Sequence, residues 1–177
     1  MVERIYLIGF MGSGKSYSGK RLAQRLQWDY LDLDDVIIDR NGLSINQIFS
    51  QHGEDFFRQS EKESLHSTIN LSNTIISCGG GTPCFFDNMD WIKKNGLSFY
   101  LKVDPSLLLE RLISQKDHRP LIHELDEDAL MEFITTKIEE RSKYYSQADY
   151  VFNQKLNDDS IVEKILQIMS KRHNEYN

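Results

Sequence analysis

A glycine-rich stretch near the start of the chain has the residue types needed to hold a phosphate group. Residues 9–16, Gly-Phe-Met-Gly-Ser-Gly-Lys-Ser, fit the pattern G-x-x-x-x-G-K-[ST]. Glycines let several backbone N–H groups converge on phosphate oxygens, and the N-terminus of a following helix adds the positive end of its dipole. Lys15 supplies a charge for β- and γ-phosphates, and the Ser16 hydroxyl can bind Mg²⁺. The stretch therefore predicts a nucleotide site with magnesium.

A chance match to this pattern is the alternative, and the flanking residues argue against it. Residues 5–8, Ile-Tyr-Leu-Ile, read as a short buried strand, whereas Leu22, Ala23 and Leu26 fall at helical spacing. The motif therefore lies between a strand and a helix, which is the context that phosphate binding requires.

Two carboxylates, Asp32 and Asp34, follow the second predicted strand at residues 30–32. In an open α/β sheet, the carboxyl ends of the strands face the ligand crevice. If the chain stays extended, alternation places both carboxylates on one side. One could hold a metal ion, while the other could accept a proton from a substrate hydroxyl or orient it. The alternative is that Asp34 or Asp35 only caps the next helix.

Three consecutive glycines, Gly79, Gly80 and Gly81, come directly after a predicted strand at residues 74–77. They permit the backbone to approach a ligand closely, and the alternative is a flexible turn. Three adjacent glycines cost much backbone entropy on folding, which favours a functional role.

Three arginines could grip a carboxylate or a phosphate, because the guanidinium fork binds such groups through two hydrogen bonds. The alternative for Arg58 is that it binds no ligand and only forms a solvent-exposed i,i+3 ion pair with Glu61. Arg141, on a long predicted helix, has a surface ion pair as its alternative. Arg119 lies in the aperiodic segment 115–124, where a structural explanation is harder to find.

Apolar strand-like runs alternate with helical patterns along residues 1–177, which predicts one domain with a parallel sheet and helices on both faces. A capping box at residues 44–47 starts a helix that stops near Gly53, and another helix begins near Asp55. Two further helices are predicted to start at Asp104, which precedes Pro105, and at Asp126. Gly96 is a signal for the C-terminal end of a helix.

The composition excludes several classes of partner. A formal net charge of -6 argues against general binding of nucleic acid or of an anionic membrane. No apolar run is long enough to span a bilayer, and no signal peptide precedes the first strand. Cys78 and Cys84 show no metal-ligand spacing, so we expect two free thiols in a cytoplasmic protein. We further expect a monomer.

The ordered set of motifs resembles the shikimate kinase family over nearly the whole chain. The set comprises the glycine-rich loop, Asp-x-Asp after strand two, Phe-Arg on a helix, the triple glycine, Arg-Pro-Leu and Glu-Arg-x-x-x-Tyr. The resemblance implies the three-layer P-loop fold of the nucleoside monophosphate kinase group, with a five-stranded parallel sheet in the order 2-3-1-4-5. It implies transfer of the γ-phosphoryl group of ATP to the 3-hydroxyl of shikimate, with Mg²⁺, in the pathway to aromatic amino acids.

The same resemblance implies the roles of individual residues. The residues that it places around ATP are Gly12, Ser13, Gly14, Lys15, Ser16, Tyr17, Arg111 and Arg119. The residues that it places around shikimate are Asp34, Arg58, Gly79, Gly80, Gly81 and Arg141. It assigns the metal to Ser16 and Asp32, and catalysis to Lys15, Asp34 as candidate base, and Arg119. Residues 115–124 would form a lid, and helices within residues 34–70 would bind the substrate.

Two other kinds of function compete with this interpretation. A sister kinase such as gluconate kinase also binds a polyhydroxy acid, but the Asp32-x-Asp34 spacing and the triple glycine favour shikimate. A guanine-specific switch would need an Asn-Lys-x-Asp segment, which the sequence lacks. A catalytically inactive homologue is disfavoured because the charged residues of the predicted site are all retained.

Overall fold

The computed structural model describes residues 2–114, 122, 124–154 and 160–175, without the side chains of 173–175. The strands are β1 Arg4–Ile8, β2 Asp29–Asp32, β3 Thr74–Ser77, β4 Leu97–Val103 and β5 Tyr150–Gln154. The helices are α1 Lys15–Leu26, α2 Leu33–Asn41, α3 Ile45–Ser67, α4 Asn88–Asn95, α5 Pro105–Ile113, α6 Glu127–Tyr145 and α7 Ile161–Glu175. Short 3-10 turns cover Thr68–Asn70 and Thr82–Cys84.

The five strands form one parallel sheet in the order β2-β3-β1-β4-β5, which confirms the predicted order. Strand β1 is central, since Ile5 lies beside Ile75 of β3 and also beside Leu97 of β4. The chain adds strands first on one side of β1 and then on the other. A crevice therefore opens at the carboxyl end of β1, and ligands of open α/β sheets bind at such a point.

Alternate side chains of β1 enter two separate apolar cores, one on each face of the sheet. Ile5 and Leu7 belong to the core that α1 and α7 cover. Tyr6 and Ile8 belong to the opposite core, to which α3, α4 and α6 contribute. All four side chains have zero exposure, so the sheet is the middle layer of three, as predicted.

The predicted helix starts are confirmed by their caps. The Ser44 Oγ accepts from the Gln47 N–H at 3.3 Å, and the Gln47 Oε1 accepts from the Ser44 N–H at 2.9 Å. The Asp104 carboxylate accepts from the N–H of Ser106, and the Asp126 carboxylate accepts from that of Ala129, each at 2.9 Å. These side chains satisfy donors that the first turn of a helix leaves open.

Helix α3 contains a break at Gly53, where the prediction placed the end of one helix and the start of another. Gly53 has φ of 80° and ψ of 178°, a conformation that only glycine adopts without strain. The break changes the direction of α3 before the segment that carries Arg58.

The prediction that Gly96 closes a helix is confirmed, and the structure adds a second reason for a glycine at this position. Helix α4 ends at Asn95, and the Gly96 N–H donates to the Ile92 carbonyl at 3.1 Å. However, Gly96 is extended, with φ of -176°, instead of left-handed. A Cβ at this position would lie 2.6 Å from the Tyr6 ring and 2.7 Å from the Arg4 carbonyl. Close packing against β1 therefore requires the glycine.

Both cysteines are free thiols, as predicted, and Cys78 is buried at the end of β3. Within the described part of the chain, no helix combines the length and apolar character that a membrane crossing needs.

Candidate active site

The glycine-rich loop connects the end of β1 to the start of α1, as the sequence predicted. Gly9, Gly12 and Gly14 have φ of 147°, 78° and 84°. These left-handed values favour glycine, because a side chain would clash with the backbone there. Helix α1 begins directly after Gly14, whose carbonyl accepts from the Ser18 N–H at 2.9 Å. The loop thus wraps around a helix N-terminus, where backbone N–H groups favour an anion.

Lys15 lies over this loop and is almost fully buried. Its Nζ donates to the carbonyls of Gly9 and Phe10, each at 2.9 Å. The ammonium group is therefore held at the anion-binding end of α1, as the motif predicted.

Ser16 and Asp32 meet, although they come from different elements. The Ser16 Oγ donates to the Asp32 Oδ2 at 2.9 Å, and the Tyr30 hydroxyl donates to the same oxygen at 3.0 Å. A hydroxyl and a carboxylate are the hard oxygen ligands that suit Mg²⁺, so the pair fits the predicted metal site. In the described ranges, no group of three or more His, Cys, Asp or Glu could hold a metal. Magnesium bound here would also need nucleotide phosphates as ligands.

The chain turns into α2 immediately after Asp32, so the extended backbone on which the alternation argument depended does not continue. The helix cap is Asp32 itself, whose Oδ1 accepts from the Asp34 N–H at 3.2 Å. The alternative that Asp34 or Asp35 caps this helix is therefore also wrong. Asp34 lies in the first turn of α2, and its carboxylate faces the cleft together with that of Asp32.

The Asp34 carboxyl binds its proton more tightly than an ordinary aspartate. Burial, together with the nearby negative charges of Asp32 and Glu61, raises the pKa of Asp34 to about 6, while the charge of Lys15 opposes this shift. A carboxyl with a pKa in this range can exchange a proton near neutral pH.

A cleft of about 640 Å³ joins the loop to the carboxyl ends of β2 and β3. The predicted site residues that line it are Gly12, Gly14, Lys15, Ser16, Tyr17, Asp32, Asp34, Gly79, Gly80 and Arg111. Gln154 at the end of β5 and Ile161 and Val162 at the start of α7 complete the wall.

The triple glycine makes room for charged side chains at one end of the cleft. A Cβ on Gly79 would lie 2.8 Å from Glu61 Oε1 and 3.3 Å from Asp34 Oδ1. A Cβ on Gly81 would lie only 2.6 Å from Arg58 Nη1. The glycines therefore serve close packing by charged groups, so the flexible-turn alternative does not describe them.

Arg141 approaches the same segment from α6. A Cβ on Gly80 would lie 3.3 Å from Arg141 Nη1, and the Gly80 carbonyl accepts from the Tyr145 hydroxyl at 2.5 Å. The Arg141 guanidinium also lies 5.5 Å from the ring of Phe10. Arg58 and Arg141, which the resemblance placed around one substrate, therefore approach the same backbone segment.

Arg58 forms the predicted ion pair with Glu61, with 2.9 Å between Arg58 Nη1 and Glu61 Oε2. The pair is buried, however, and not exposed to solvent as the prediction had it. The side chains of Arg58 and Glu61 are 11% and 1% exposed. Arg58 also contacts Glu54 and lies 3.9 Å from the Phe85 ring, while Glu61 accepts from the Thr82 hydroxyl at 2.6 Å. Packing against the segment after the triple glycine has buried a pair that sequence spacing alone would place at the surface.

Sequence reasoning missed Glu61 as a buried group, and it also missed Tyr30 and Gln154. Gln154 is the last residue of β5. The Gln154 Nε2 donates to the Ser13 carbonyl at 2.7 Å. A polar residue at the carboxyl end of a strand was the signal that identified Asp32, and the same signal applied to β5 would have found Gln154.

The remaining residues predicted to bind ATP differ in their position relative to the loop. Arg111 Nη1 donates to the Gly12 carbonyl at 3.1 Å, which puts this side chain beside the loop. Tyr17 is 60% exposed, and its hydroxyl accepts from Arg21 at 2.6 Å. Arg119 lies outside the described residues, as does most of the predicted lid at residues 115–124.

The glycine-rich loop, the Ser16–Asp32 pair and the strand order together define a P-loop kinase. The family model "Shikimate kinase" matches residues 11–170. The chain therefore belongs to the shikimate kinase family, and it is an ATP-dependent kinase that phosphorylates shikimate.

Curated relatives agree over almost the full chain. The shikimate kinase of Bacteroides fragilis is 40% identical over 169 residues, covering 95% of this chain and 94% of the relative. That of Flavobacterium johnsoniae is 40% identical over 174 residues, covering 96% and 100%.

Solved structures show the same fold. The shikimate kinase of Bacteroides thetaiotaomicron has a TM-score of 0.88 at 36% identity, covering 98% of this chain and 99% of that one. The Acinetobacter baumannii enzyme in complex with shikimate has a TM-score of 0.88 at 28% identity, covering 97% and 95%.

Proposed function

We propose that the cleft transfers the γ-phosphoryl group of ATP to the 3-hydroxyl of shikimate, with each end of the cleft binding one substrate. The observation that carries this proposal is the position of Asp34. Its carboxylate lines the cleft with Lys15 and Ser16, and it also lies beside the triple glycine that Arg58 and Arg141 approach. A group that handles the substrate hydroxyl must stand between the phosphate site and the acceptor site.

The phosphate end binds ATP through residues 12–17. The left-handed glycines orient backbone N–H groups, and Lys15 and Arg111 add positive charge. We assign Arg119 to the same phosphates on the basis of the family's Arg-Pro-Leu motif. These groups would stabilise negative charge that develops on the transferring oxygens.

Ser16 and Asp32 would hold Mg²⁺. The ion supplies charge neutralisation for the β- and γ-phosphate oxygens when it is bound. The chain's own contribution is to fix the Asp32 carboxylate, which accepts hydrogen bonds from the Ser16 and Tyr30 hydroxyls and from the Asp34 N–H.

Shikimate binds where Gly79 and Gly80 line the cleft, beside two arginines that do not line it themselves. Arg58 and Arg141 converge on Gly80 and Gly81 from different helices, so a small carboxylate placed there could meet two guanidinium groups. The relative from A. baumannii, which has the same fold, was solved with shikimate bound, and this supports shikimate as the acceptor. Ionised Asp34 would orient the 3-hydroxyl and accept its proton.

The reaction needs no covalent intermediate. The 3-hydroxyl oxygen forms a bond to the γ-phosphorus, the bond from that phosphorus to the β,γ-bridging oxygen breaks, and ADP leaves. The hydroxyl proton passes to Asp34. Positioning and charge stabilisation therefore account for the catalysis.

We also propose that the enzyme works in the cytoplasm as a monomer. The free thiols of Cys78 and Cys84 suit a reducing compartment.

A coupled assay for ADP release tests the proposed reaction, with MgATP and either shikimate, gluconate, a nucleoside monophosphate or no acceptor. We expect release that depends on shikimate. Faster turnover with gluconate would be consistent with the proposed ATP site. It would contradict the assignment of Arg58 and Arg141 to the shikimate carboxylate. No release with any acceptor would instead favour an inactive nucleotide-binding protein.

A further inference from the structure

Gln154 is a buried amide that touches the phosphate-binding loop from an unrelated part of the chain. It is the last residue of β5, it is 9% exposed, and its Nε2 donates to the Ser13 carbonyl at 2.7 Å. These two residues are 141 positions apart. The proposed reaction does not use Gln154 directly.

The hydrogen bond fixes the orientation of one peptide unit. The peptide between Ser13 and Gly14 is trans, so its C=O and N–H groups point in opposite directions. When Gln154 holds the Ser13 carbonyl, the Gly14 N–H must point away from Gln154. Without that bond the unit could rotate, because Gly14 accepts both signs of φ at little cost.

The preceding peptide unit is held in a comparable way. The Gly12 carbonyl accepts from Arg111 Nη1 at 3.1 Å, and the Ser13 N–H donates to the Phe10 carbonyl at 3.2 Å. Both ends of that unit are therefore engaged, one by a side chain of α5 and one within the loop. The unit at Ser13 and Gly14 relies on Gln154 for its carbonyl end.

We propose that Gln154 is a positioning residue for the nucleotide phosphates, because it keeps the Ser13–Gly14 peptide in the orientation that presents the Gly14 N–H to the anion. This inference rests on the proposed function of the loop as the ATP phosphate site. A loop that spends part of its time in a rotated state binds phosphate with an affinity reduced by that fraction. Gln154 therefore affects the affinity for phosphate-bearing nucleotides and leaves the acceptor site unchanged.

The test is the Gln154→Met variant, which keeps the size of the side chain and removes the N–H donor. We expect its Kd for MgADP and its KM for MgATP to rise about tenfold, since a net hydrogen bond of this kind is worth roughly one power of ten in affinity. Its KM for shikimate should stay within about twofold of wild type. Titration calorimetry would give the ADP affinity, and saturation-transfer NMR would follow adenosine, which has the base and sugar but no phosphate.

Gln147→Met is the matched control. The Gln147 Nε2 also donates to a backbone carbonyl, that of Lys143, at 2.9 Å, but at the exposed end of α6. We expect this variant to bind MgADP as wild type does. Gln154→Asn, whose shorter amide cannot span the same distance, provides a second removal if the methionine variant does not fold.

The outcomes separate the inference from its alternatives. Loss of MgADP affinity with unchanged adenosine binding supports the positioning role. An equal loss for adenosine would mean that Gln154 contacts the base or the sugar, and unchanged MgADP affinity would mean that the bond only stabilises β5. Either of those results overturns the inference. The ADP titration needs no acceptor, so it stays informative even if wild-type protein releases no ADP with shikimate.

Discussion

Asp34 has an environment that costs stability and serves chemistry. Its carboxyl is held among other carboxylates, with a pKa raised to about 6 from an ordinary 3.8. A raised carboxyl pKa means that the folded protein binds the proton more tightly than the unfolded chain does. Between about pH 4 and pH 6 the folded state holds more protons, so this residue's contribution to stability falls as pH rises.

The pH dependence of Asp34 can be measured in two ways. We expect kcat/KM for shikimate to fall as pH drops through about 6, because the ionised form must receive the proton. We expect Asp34→Asn to lower turnover strongly at pH 7.5, to leave MgATP binding nearly unchanged, and to raise the free energy of unfolding by on the order of 2 kcal/mol.

Asp35→Asn is the control for this prediction, since Asp35 is exposed on the same turn of α2. Urea unfolding and steady-state kinetics of both variants would distinguish the roles. Equal loss of turnover and MgATP binding in Asp34→Asn would make Asp34 a structural residue.

Arg58 is a second residue whose effect has two parts. Arg58→Ala would remove the cation that pairs with Glu61, which is almost fully buried. We expect the KM for shikimate to rise about 100-fold through the loss of charge-assisted hydrogen bonds. We also expect a loss of about 3 kcal/mol in unfolding free energy, because a buried carboxylate would be left without its partner.

Arg40→Ala is matched to Arg58→Ala, because it removes an exposed pair with Glu63 at 3.7 Å. We expect it to change both quantities little. Kinetics with shikimate and with MgATP varied separately would locate the effect of Arg58→Ala. An unchanged KM for shikimate in that variant would leave Arg58 with a stabilising role alone.

At the scale of elements, the segment after β3 determines where the charged side chains can lie. Gly81 has φ of -90°, which any residue can adopt, so an alanine there would not strain the backbone. Its Cβ would instead lie 2.6 Å from Arg58 Nη1 and displace the guanidinium.

We therefore expect Gly81→Ala to raise the KM for shikimate about tenfold while the KM for MgATP stays nearly constant, because a shift of about 1 Å in a positioning group has effects of this size or larger. Gly96→Ala is the comparison, since its Cβ would meet the Tyr6 ring and not the cleft. That variant should lose stability without selective loss of shikimate binding. Parallel increases in both KM values for Gly81→Ala would contradict the assignment.

Local sequence patterns predicted most elements because their causes are local. The apolar run of β1, the capping box at Ser44 and the glycine-rich loop each carry their own signal within a few residues. The burial of Glu61 does not, because it depends on Thr82 and on a glycine segment from a different part of the chain. For the same reason the sequence did not show that close packing requires Gly96, because the ring that it contacts belongs to β1.

The site residues also divide into those with a local sequence signal and those whose role depends on distant parts of the chain. The phosphate loop was predicted from its own motif, and Asp32 and Asp34 were predicted because strand ends in this fold face the crevice. Tyr30 was missed because its role depends on the Ser16–Asp32 pair, which only the folded chain brings together.

For the whole molecule, the two ends of the cleft should stabilise the fold separately. A ligand at 100 times its Kd adds about 2.7 kcal/mol, which for a chain of this length corresponds to a rise of about 5–10 °C in Tm. We expect MgADP and shikimate each to raise Tm by such an amount when measured by scanning calorimetry. Lys15→Met should lose the MgADP increment and keep the shikimate increment.

Lys94→Met is the control for the thermal measurement, because Lys94 is exposed on α4. It should keep both increments. Loss of both increments in Lys15→Met would show that Lys15 supports the entire cleft and does not act on the nucleotide alone.

The central position of β1 has a consequence for the time at which this protein can fold during synthesis. β1 leaves the ribosome before the other four strands, yet both of its neighbours come much later in the chain, and Ile5 meets its partner in β4 only at Leu97. At about 5–20 residues per second, the translation of the intervening ~90 residues takes roughly 5–20 s. During that interval the apolar run Ile5–Ile8 has no neighbouring strand to pair with. The phosphate loop beside it likewise lacks the later elements that pack against it. A chaperone that holds extended apolar segments would therefore have its binding site in β1.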